Sequence, residues 1–213
     1  MRPGHDAAKS RDDAAKRAFD VTIAVLGFIL TLPIQLATAL AIRVRLGRSA
    51  LFRQARPGLH GELFEIVKFR TMLAINSELG LVDDASRMTA LGSWLRATSL
   101  DELPTLWYII RGDMSVVGPR PLLVRYVARY FAEQARRHEV RPGLTGLAQV
   151  SGRNALSWED KFQLDVHDVD HHTFAGDLKI TCGTVRSVAI RDGIVAEGDA
   201  TMPEFLGASD DRH

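Results

Sequence analysis

The sequence predicts a mainly helical α+β protein that carries a membrane helix near its N-terminus. Three observations support this class. Residues 21–42 form an uncharged apolar run, short amphipathic segments at helical spacing follow it, and residues 51–72 alternate apolar and polar side chains between glycines. The chain has 213 residues, of which 46% are hydrophobic and 25% charged, the composition of a folded rather than a disordered chain.

The apolar run is long enough to enter a bilayer, because as a helix it would extend about 33 Å, roughly one hydrocarbon thickness. Pro33 lies near its middle and predicts a bend, and Thr31 and Gln35 can satisfy the backbone groups that a bend frees. Both flanks carry the positive charge that marks a cytoplasmic side: Lys16, Arg17, Arg43, Arg45 and Arg48. A re-entrant helix that enters and leaves through one face explains these features, and a single straight span is the alternative.

The remaining sequence predicts one globular domain. We expect a flexible polar lead-in over 1–15, the re-entrant helix over 16–46, a domain over 47–190 and a tail of unknown role over 191–213. The domain should contain a small β-hairpin within 51–72, a loop over 74–86, a rigid turn at 118–121, a glycine-containing loop over 141–153, and helices over 88–97, 104–111, 122–139, 158–172 and 178–191. Trp94 and Trp107 lie on amphipathic segments that could rest at the membrane interface, although core positions are the alternative.

The overall charge excludes some classes of function. Lys and Arg total 27 and Asp and Glu total 26, so nothing predicts a nucleic-acid partner. The single Cys182 excludes a disulfide framework within the chain and a zinc site built mainly of thiolates. Any binding site for an anion must therefore be a local cluster of basic residues.

The segment TSLDELPTLW, residues 98–107, places two adjacent carboxylates at a predicted helix start. Pro104 belongs within the first helical positions, which makes Asp101 the predicted N-cap and Glu102 the first helical residue. Free N–H groups and the helix dipole stabilise an ionised carboxylate there. The pair could supply a nucleophile and a partner for a metal or a proton, or it could simply cap the helix.

Several cations could accompany this pair. Arg120 lies between Pro119 and Pro121, whose fixed φ angles hold the backbone that carries it. Guanidinium groups bind phosphate in a bidentate fashion, so Arg120, together with Lys68, Arg70 and Arg96, could bind a diphosphate. An exposed arginine in a proline-rich turn is the alternative.

Two further patterns carry weaker hypotheses. The glycines of RPGLTGLAQVSGRN, residues 141–154, allow a backbone to approach a ligand closely, but their spacing matches neither a dinucleotide fingerprint nor a Walker A loop. His167 and His171 are four residues apart, with Asp168 nearby, a spacing that could bind a divalent metal. A solvated polar helix face is the preferred explanation of the second pattern.

Together, KFRTM, LRATSLDELPTLWYIIRGDMSVVGPRPL and RPGLTGLAQVSGRN, after a proline-bearing apolar segment, resemble the bacterial sugar transferases, specifically the small monotopic phosphoglycosyl transferases. The resemblance covers roughly residues 16–180. It implies transfer of a phosphosugar from a UDP-sugar to a polyprenol phosphate, expected to be undecaprenyl phosphate. The products would be a polyprenyl-diphospho-sugar and UMP. It also implies Mg²⁺ and a place at the cytoplasmic face of the bacterial inner membrane, in contact with membrane lipid, and it allows a homodimer.

The resemblance also implies roles for particular residues. Asp101 would be the nucleophile that carries a covalent phosphosugar, and Glu102 its partner, with both near Mg²⁺. Pro33 would break the re-entrant helix. Phosphate binding would fall to Lys68, Arg96 and Arg120, and a nucleotide-sugar loop would contain Arg141, Gln149 and Arg153. Such an enzyme would start the assembly of a surface glycan: exopolysaccharide, O-antigen or glycoprotein glycan.

One departure from the family is visible. The family usually has aromatic and amide residues around 167–171, where this chain has His167, Asp168 and His171, which leaves the sugar undefined. A metal-dependent transferase that uses this cluster, and a non-catalytic protein that only binds a nucleotide-sugar, are the alternative functions. An intact pair at Asp101 and Glu102 argues against the second.

Overall fold

The computed structural model describes residues 3–47, 49–152, 156–190 and 204–207. Its α-helices are α1 Pro3–Leu46, α2 Asp84–Arg87, α3 Ala90–Ala97, α4 Leu106–Arg111, α5 Ala132–Ala135, α6 Leu147–Ser151, α7 Trp158–His171 and α8 Phe174–Ile190. Its strands are β1 Leu51–Pro57, β2 Leu63–Phe69, β3 Ser115–Val117 and β4 Gly143–Thr145, and its 3₁₀ helices are Leu59–Gly61, Ser77–Leu79, Leu100–Thr105, Val124–Arg129 and Arg136–His138. The predicted class, mainly helical α+β with a small hairpin, is confirmed.

Helix α1 runs without interruption through Pro33. It begins at Pro3, whereas the sequence predicts a polar lead-in up to residue 15. Residues 14–46 are long and apolar enough to cross a membrane, judged by length and composition. Beside the proline, Gln35 Nε2 donates to Phe28 O at 3.4 Å and to Thr31 Oγ1 at 3.0 Å, so these polar groups bond within the helix. The carbonyl that loses its usual donor at Pro33 is that of Ile29, four residues earlier, and neither of these bonds reaches it.

Both ends of the apolar run contact the globular domain. Near the start, Phe19, Ala24 and Phe28 belong to the main core with α4 and β3. Near the end, Ile42 is fully buried in a second core cluster with Phe69 and Leu95. Between them the helix exposes a stripe of large apolar side chains: Ile29, Leu30, Leu32, Ile34, Leu36 and Leu40.

The basic residues before the apolar run bind the protein itself. Arg17 donates to Ile109 O at 2.8 Å and Ile110 O at 3.0 Å, which satisfies carbonyls at the end of α4. Lys16 pairs with the buried Asp177 of α8. These contacts correct part of the sequence argument, which assigned Lys16 and Arg17 only to the positively charged flank of the membrane helix. Both residues also join α1 to other helices, Arg17 to α4 and Lys16 to α8.

Strands β1 and β2 form the predicted antiparallel hairpin, with Leu51 opposite Phe69 and Pro57 opposite Leu63. The sequence did not indicate the second sheet, in which β3 and β4 are parallel. Its strands approach closely because they are built on glycine: a Cβ on Gly118 would lie 2.5 Å from Arg141 O, and one on Gly143 only 2.2 Å from Gly118 N. These glycines permit contact between two backbones of the protein, whereas the sequence analysis assigned Gly143 to contact with a ligand and Gly118 to a rigid turn.

The predicted long helix over 122–139 is wrong. The structure divides it into the 3₁₀ helix Val124–Arg129, the short α5 and the 3₁₀ helix Arg136–His138, with Tyr130 and Phe131 extended between the first two. The extended backbone lets Tyr126 and Tyr130 pack around Phe162 of α7 in a third core cluster. Tertiary packing of the aromatic rings therefore overrides helix periodicity.

Candidate active site

The two predicted carboxylates lie in the first turn of the 3₁₀ helix Leu100–Thr105, which continues directly into α4. Ser99 precedes them in the left-handed region, with φ 55° and ψ 16°. Asp101 is therefore not the N-cap, which corrects the sequence prediction. The tighter turn accommodates Pro104 inside the 3₁₀ helix, and the positive φ of Ser99, sterically unfavourable for a residue with a Cβ, sets the direction in which the two carboxylates leave the backbone.

Glu102 is held between two cations. Lys68 Nζ, from β2, donates to Glu102 Oε1 at 2.5 Å, and Arg120 Nη2 donates to the same oxygen at 2.6 Å. Desolvation alone would raise the pKa of Glu102, but Arg120 and Lys68 outweigh it and hold the pKa well below its usual value. Glu102 is thus ionised and fixed in place.

Asp101 is different. Only 9% of the surface of Asp101 is exposed to solvent, and its carboxylate accepts no hydrogen bond from the residues that the structure describes. Burial, reinforced by the charge of Glu102, raises the pKa of Asp101 to about 6, although Lys68, Arg96 and Arg120 oppose the shift. The site therefore contains one fixed carboxylate and one that is free of hydrogen bonds.

Arg96 reaches the site from α3. Its Nε donates to Thr71 Oγ1 at 3.1 Å, just beyond the end of β2. Helix α3 can lie this close because Gly92 has no side chain: a Cβ there would be 1.8 Å from Thr71 O. The close approach brings the positive charge of Arg96 toward Asp101.

The backbone of Arg120 is held by Arg137 as well as by its two flanking prolines. Its backbone carbonyl accepts a bond from Arg137 Nη2 at 2.8 Å. Arg137 is 2% exposed and pairs with Asp165 of α7 at 2.7 Å. The sequence predicted the rigid turn around Arg120, but it gave no sign of this second layer.

Arg56 was missed by the sequence analysis. It lies near the end of β1 and lines a pocket of about 80 Å³ with other site residues: Lys68, Glu102, Thr105, Arg120 and Gly143. Its Nη1 donates to Pro121 O at 3.2 Å. Burial, with the charge of Arg120, lowers the pKa of Arg56 to about 10. The only sign of its role in the sequence is that Arg56 lies within an amphipathic strand. Arg53 lies in the same strand and is exposed, so this sign alone does not identify Arg56 as a site residue.

The predicted nucleotide-sugar loop is only partly described. Arg141 is exposed and donates to Gly112 O at 2.8 Å. The side-chain amide of Gln149 is buried, and neither of its polar atoms has a partner among the residues that the structure describes. Arg153 lies outside the described residues. The structure thus brings Lys68, Arg96, Asp101, Glu102 and Arg120 together and does not bring Arg141 to them.

The histidine cluster does not form a metal site. His167 and His171 stack with ring centroids 4.4 Å apart. Burial, reinforced by the charge of Asp177 on α8, raises the pKa of Asp168, and Lys16 on α1 opposes the shift. Within the described ranges no three His, Cys, Asp or Glu side chains are grouped to hold a metal. The alternative of a metal-dependent transferase built on this cluster therefore has no support in the geometry.

Comparisons with known proteins identify the family of this chain. The bacterial sugar transferase family matches residues 11–191. The chain is 48% identical to the uncharacterized sugar transferase EpsL of Bacillus subtilis over 92% of this chain and 97% of that protein. It is 40% identical to a UDP-glucose:undecaprenyl-phosphate glucose-1-phosphate transferase of Caulobacter vibrioides over 90% of this chain and 76% of that protein.

A third relative is the exopolysaccharide production protein ExoY of Sinorhizobium fredii, 36% identical over 84% of this chain and 87% of that protein. The family match covers α1 from residue 11 onward, both sheets and every residue of the carboxylate and cation cluster, and it ends at residue 191, where the predicted tail begins. The chain belongs to the bacterial sugar transferase family and is a sugar-phosphate transferase.

Proposed function

We propose that the protein transfers a phosphosugar from a UDP-sugar to undecaprenyl phosphate through a covalent intermediate on Asp101. An Asp101 oxygen attacks the β-phosphorus, the bond from that phosphorus to the bridging oxygen breaks, and UMP leaves with the electron pair. An oxygen of the polyprenol phosphate then attacks the same phosphorus and the bond to Asp101 breaks. The carboxylate is regenerated and a polyprenyl-diphospho-sugar is released.

The observation that carries this proposal is the division between the two carboxylates. Lys68 and Arg120 both bond Glu102, whereas Asp101 has no donor among the described residues. Two charged donors on Oε1 draw electron density from the Glu102 carboxylate and make it a weaker nucleophile, whereas no described residue donates to the carboxylate of Asp101. A pKa of about 6 leaves Asp101 mostly ionised at neutral pH.

The surrounding cations suit a diphosphate. Arg56, Lys68 and Arg120 line a pocket of about 80 Å³, small beside the roughly 300 to 1,000 Å³ of sites that enclose a whole ligand. A pocket of this size holds one part of a substrate, and its charge favours a phosphate group. Positive groups fixed before the reaction stabilise the charge that develops on transferring phosphoryl oxygens.

We also propose Mg²⁺ at this site. Two adjacent carboxylates are too few for a closed protein cage, but Mg²⁺ commonly binds one or two carboxylates together with substrate phosphates and water. Asp101 and Glu102 fit that donor set. The ion would neutralise charge on the diphosphate.

The proposed acceptor is a lipid, and helix α1 supports a site at the membrane surface. Both ends of its apolar run contact the same globular domain, through Ala24 at one end and Ile42 at the other. A straight crossing would separate those ends by a bilayer, so the contacts favour re-entry through one face, which we propose is the cytoplasmic face. Trp94 and Trp107 are each about half exposed, as side chains at a headgroup boundary would be. Nothing in the described residues argues for the homodimer, and we do not propose it.

The test is a single-turnover assay of the protein in nanodiscs with labelled UDP-glucose and Mg²⁺ but no polyprenol phosphate. We expect one UMP per active site and label retained on the protein, because the first half-reaction needs no lipid. Adding undecaprenyl phosphate should then release the label as lipid product. Full turnover should follow ping-pong kinetics.

Asp101→Asn should abolish both the burst and the labelled protein, whereas Asp113→Asn, an equal chemical change in an aspartate paired with Arg111, should retain them. The proposal fails if UMP appears only when lipid is added, or if Asp101→Asn turns over normally. Because the sugar is undefined, the assay is repeated with other UDP-sugars before a negative result is accepted.

A further inference from the structure

The C-terminal tail contributes to the structure behind the active site. Phe205 is 4% exposed and lies within a cluster of aromatic rings. Its ring centroid is 5.0 Å from Phe162, 5.7 Å from Tyr126 and 6.0 Å from Tyr130. Rings at these separations and at tilted or edge-to-face angles attract one another in addition to the burial of their apolar surface.

Charged contacts hold the same segment in place. Glu204 Oε1 lies 2.8 Å from Arg129 Nη1 and 3.2 Å from Arg125 Nε. Arg129 also donates to the carbonyl of Phe205. The tail thus reaches its position through one buried ring and a pair of arginines on the 3₁₀ helix Val124–Arg129.

The ring cluster in turn contacts the arginine behind Arg120. The guanidinium of Arg137 lies over the rings of Phe162 and Tyr130, at 5.6 and 5.8 Å from their centroids. Arg137 Nη1 donates to Tyr130 Oη at 3.2 Å. All three nitrogens of Arg137 are therefore engaged, with Asp165, Tyr130 and the carbonyl of Arg120 as acceptors.

We propose that Phe205 is a positioning residue for the transfer reaction, which acts through the Tyr130 and Phe162 rings and Arg137 to fix the backbone of Arg120. Arg120 carries the guanidinium that bonds Glu102, so a shift of its carbonyl moves a phosphate-binding group. Displacements of about 1 Å at a catalytic group can cost about 100-fold in rate. The inference rests on the proposed function, because it assumes that Arg120 contacts the substrate.

The test is a double-mutant cycle on kcat/KM for the UDP-sugar, with Phe205→Ala and Arg120→Lys alone and combined. A lysine has no fork to orient, so Arg120→Lys removes the feature that Phe205 is proposed to position. We expect Phe205→Ala to lower kcat/KM about tenfold in the parent protein and less than about twofold in the Arg120→Lys protein. Equal losses in both backgrounds, or no loss in the parent, would overturn the proposal.

Leu206→Ala is the matched control, since Leu206 neighbours Phe205 but is 80% exposed, and it should change nothing. If Phe205→Ala does not fold, Phe205→Leu and Glu204→Gln replace it, each combined with Arg120→Lys in the same double-mutant cycle. This test distinguishes failure of the inference from failure of the proposed function. A parent protein that is inactive with every UDP-sugar refutes the proposed function. An active parent protein in which the two losses are additive refutes only the role of Phe205.

Discussion

Asp101→Asn should stabilise the protein while it destroys turnover. Burial raises the pKa of the Asp101 carboxyl from 3.8 to about 6, so the folded state binds this proton more tightly than the unfolded chain does. The folded protein is therefore penalised for ionising Asp101 as the pH rises from about 4 through about 6, and the full penalty is present at neutral pH. At about 1.4 kcal/mol per pKa unit the penalty is about 3 kcal/mol.

The measurable gain is smaller than this, because the asparagine amide is also buried and the neighbouring cations lose a partner. We expect Asp101→Asn to raise the free energy of unfolding by about 1 to 3 kcal/mol at pH 7.5, which for a chain of this size is about 2 to 10 °C in the unfolding midpoint. Thermal unfolding followed by tryptophan fluorescence in nanodiscs, between pH 4 and 8, measures both the size and the pH dependence.

The difference between Asp101→Asn and the parent protein should shrink as the pH falls from about 6 toward 4, because the parent carboxyl is then protonated. Asp113→Asn provides the comparison for a general effect of charge removal, and a pair as exposed as Arg111–Asp113 contributes at most about 1 kcal/mol. A destabilised Asp101→Asn protein, or a gain that does not vary with pH, would refute the assignment of a penalised carboxylate.

Three further predictions concern the close packing at Gly92, the pocket cation Arg56 and the pH dependence of activity. Gly92→Ala should lower the free energy of unfolding by about 2 to 3 kcal/mol and reduce activity, because the new Cβ would lie 1.8 Å from the backbone carbonyl oxygen of Thr71. Gly183→Ala in α8 is the control and should fold normally, since its Cβ would be 3.7 Å from the nearest atom. Thermal unfolding measures the change in stability, and UMP release measures the change in activity. Arg56→Gln should lower kcat/KM about 10-fold or more through the loss of a pocket cation, and Arg53→Gln on the exposed side of the strand should not. In a pH–rate profile the activity should rise through about pH 6 as Asp101 ionises and should not rise in that range if another group is the nucleophile.

Local patterns were sufficient for several parts of this protein. The apolar run predicted α1, alternation predicted the hairpin of β1 and β2, and helical spacing predicted α3 and α7. The chemistry of the site was also visible along the chain, since Asp101, Glu102 and Arg120 fall in two short segments of unusual composition. Each of these features depends on neighbours within a few residues, so the sequence expresses it directly.

The errors have a common cause. Residues 122–139 have helical periodicity, yet the chain leaves the helical conformation at Tyr130 and Phe131, and Tyr126 and Tyr130 pack in a cluster of aromatic rings with Phe162. The parallel pairing of Gly143 with Ser115 joins strands too short to show any alternation. Contacts between distant segments decided these elements, and such contacts have no local pattern.

The sequence by itself determined that the protein carries a helix long and apolar enough to enter a membrane, a pair of adjacent carboxylates and a set of basic residues able to bind phosphate. Only the tertiary structure decided that Glu102 bonds both Lys68 and Arg120, and that no residue in the described part of the chain donates a hydrogen bond to Asp101. It also decided that Arg56 joins the site and that Phe205 packs behind it. The physical reason is that residue types set which charges are present, whereas desolvation and the choice of partner depend on which segments fold against one another.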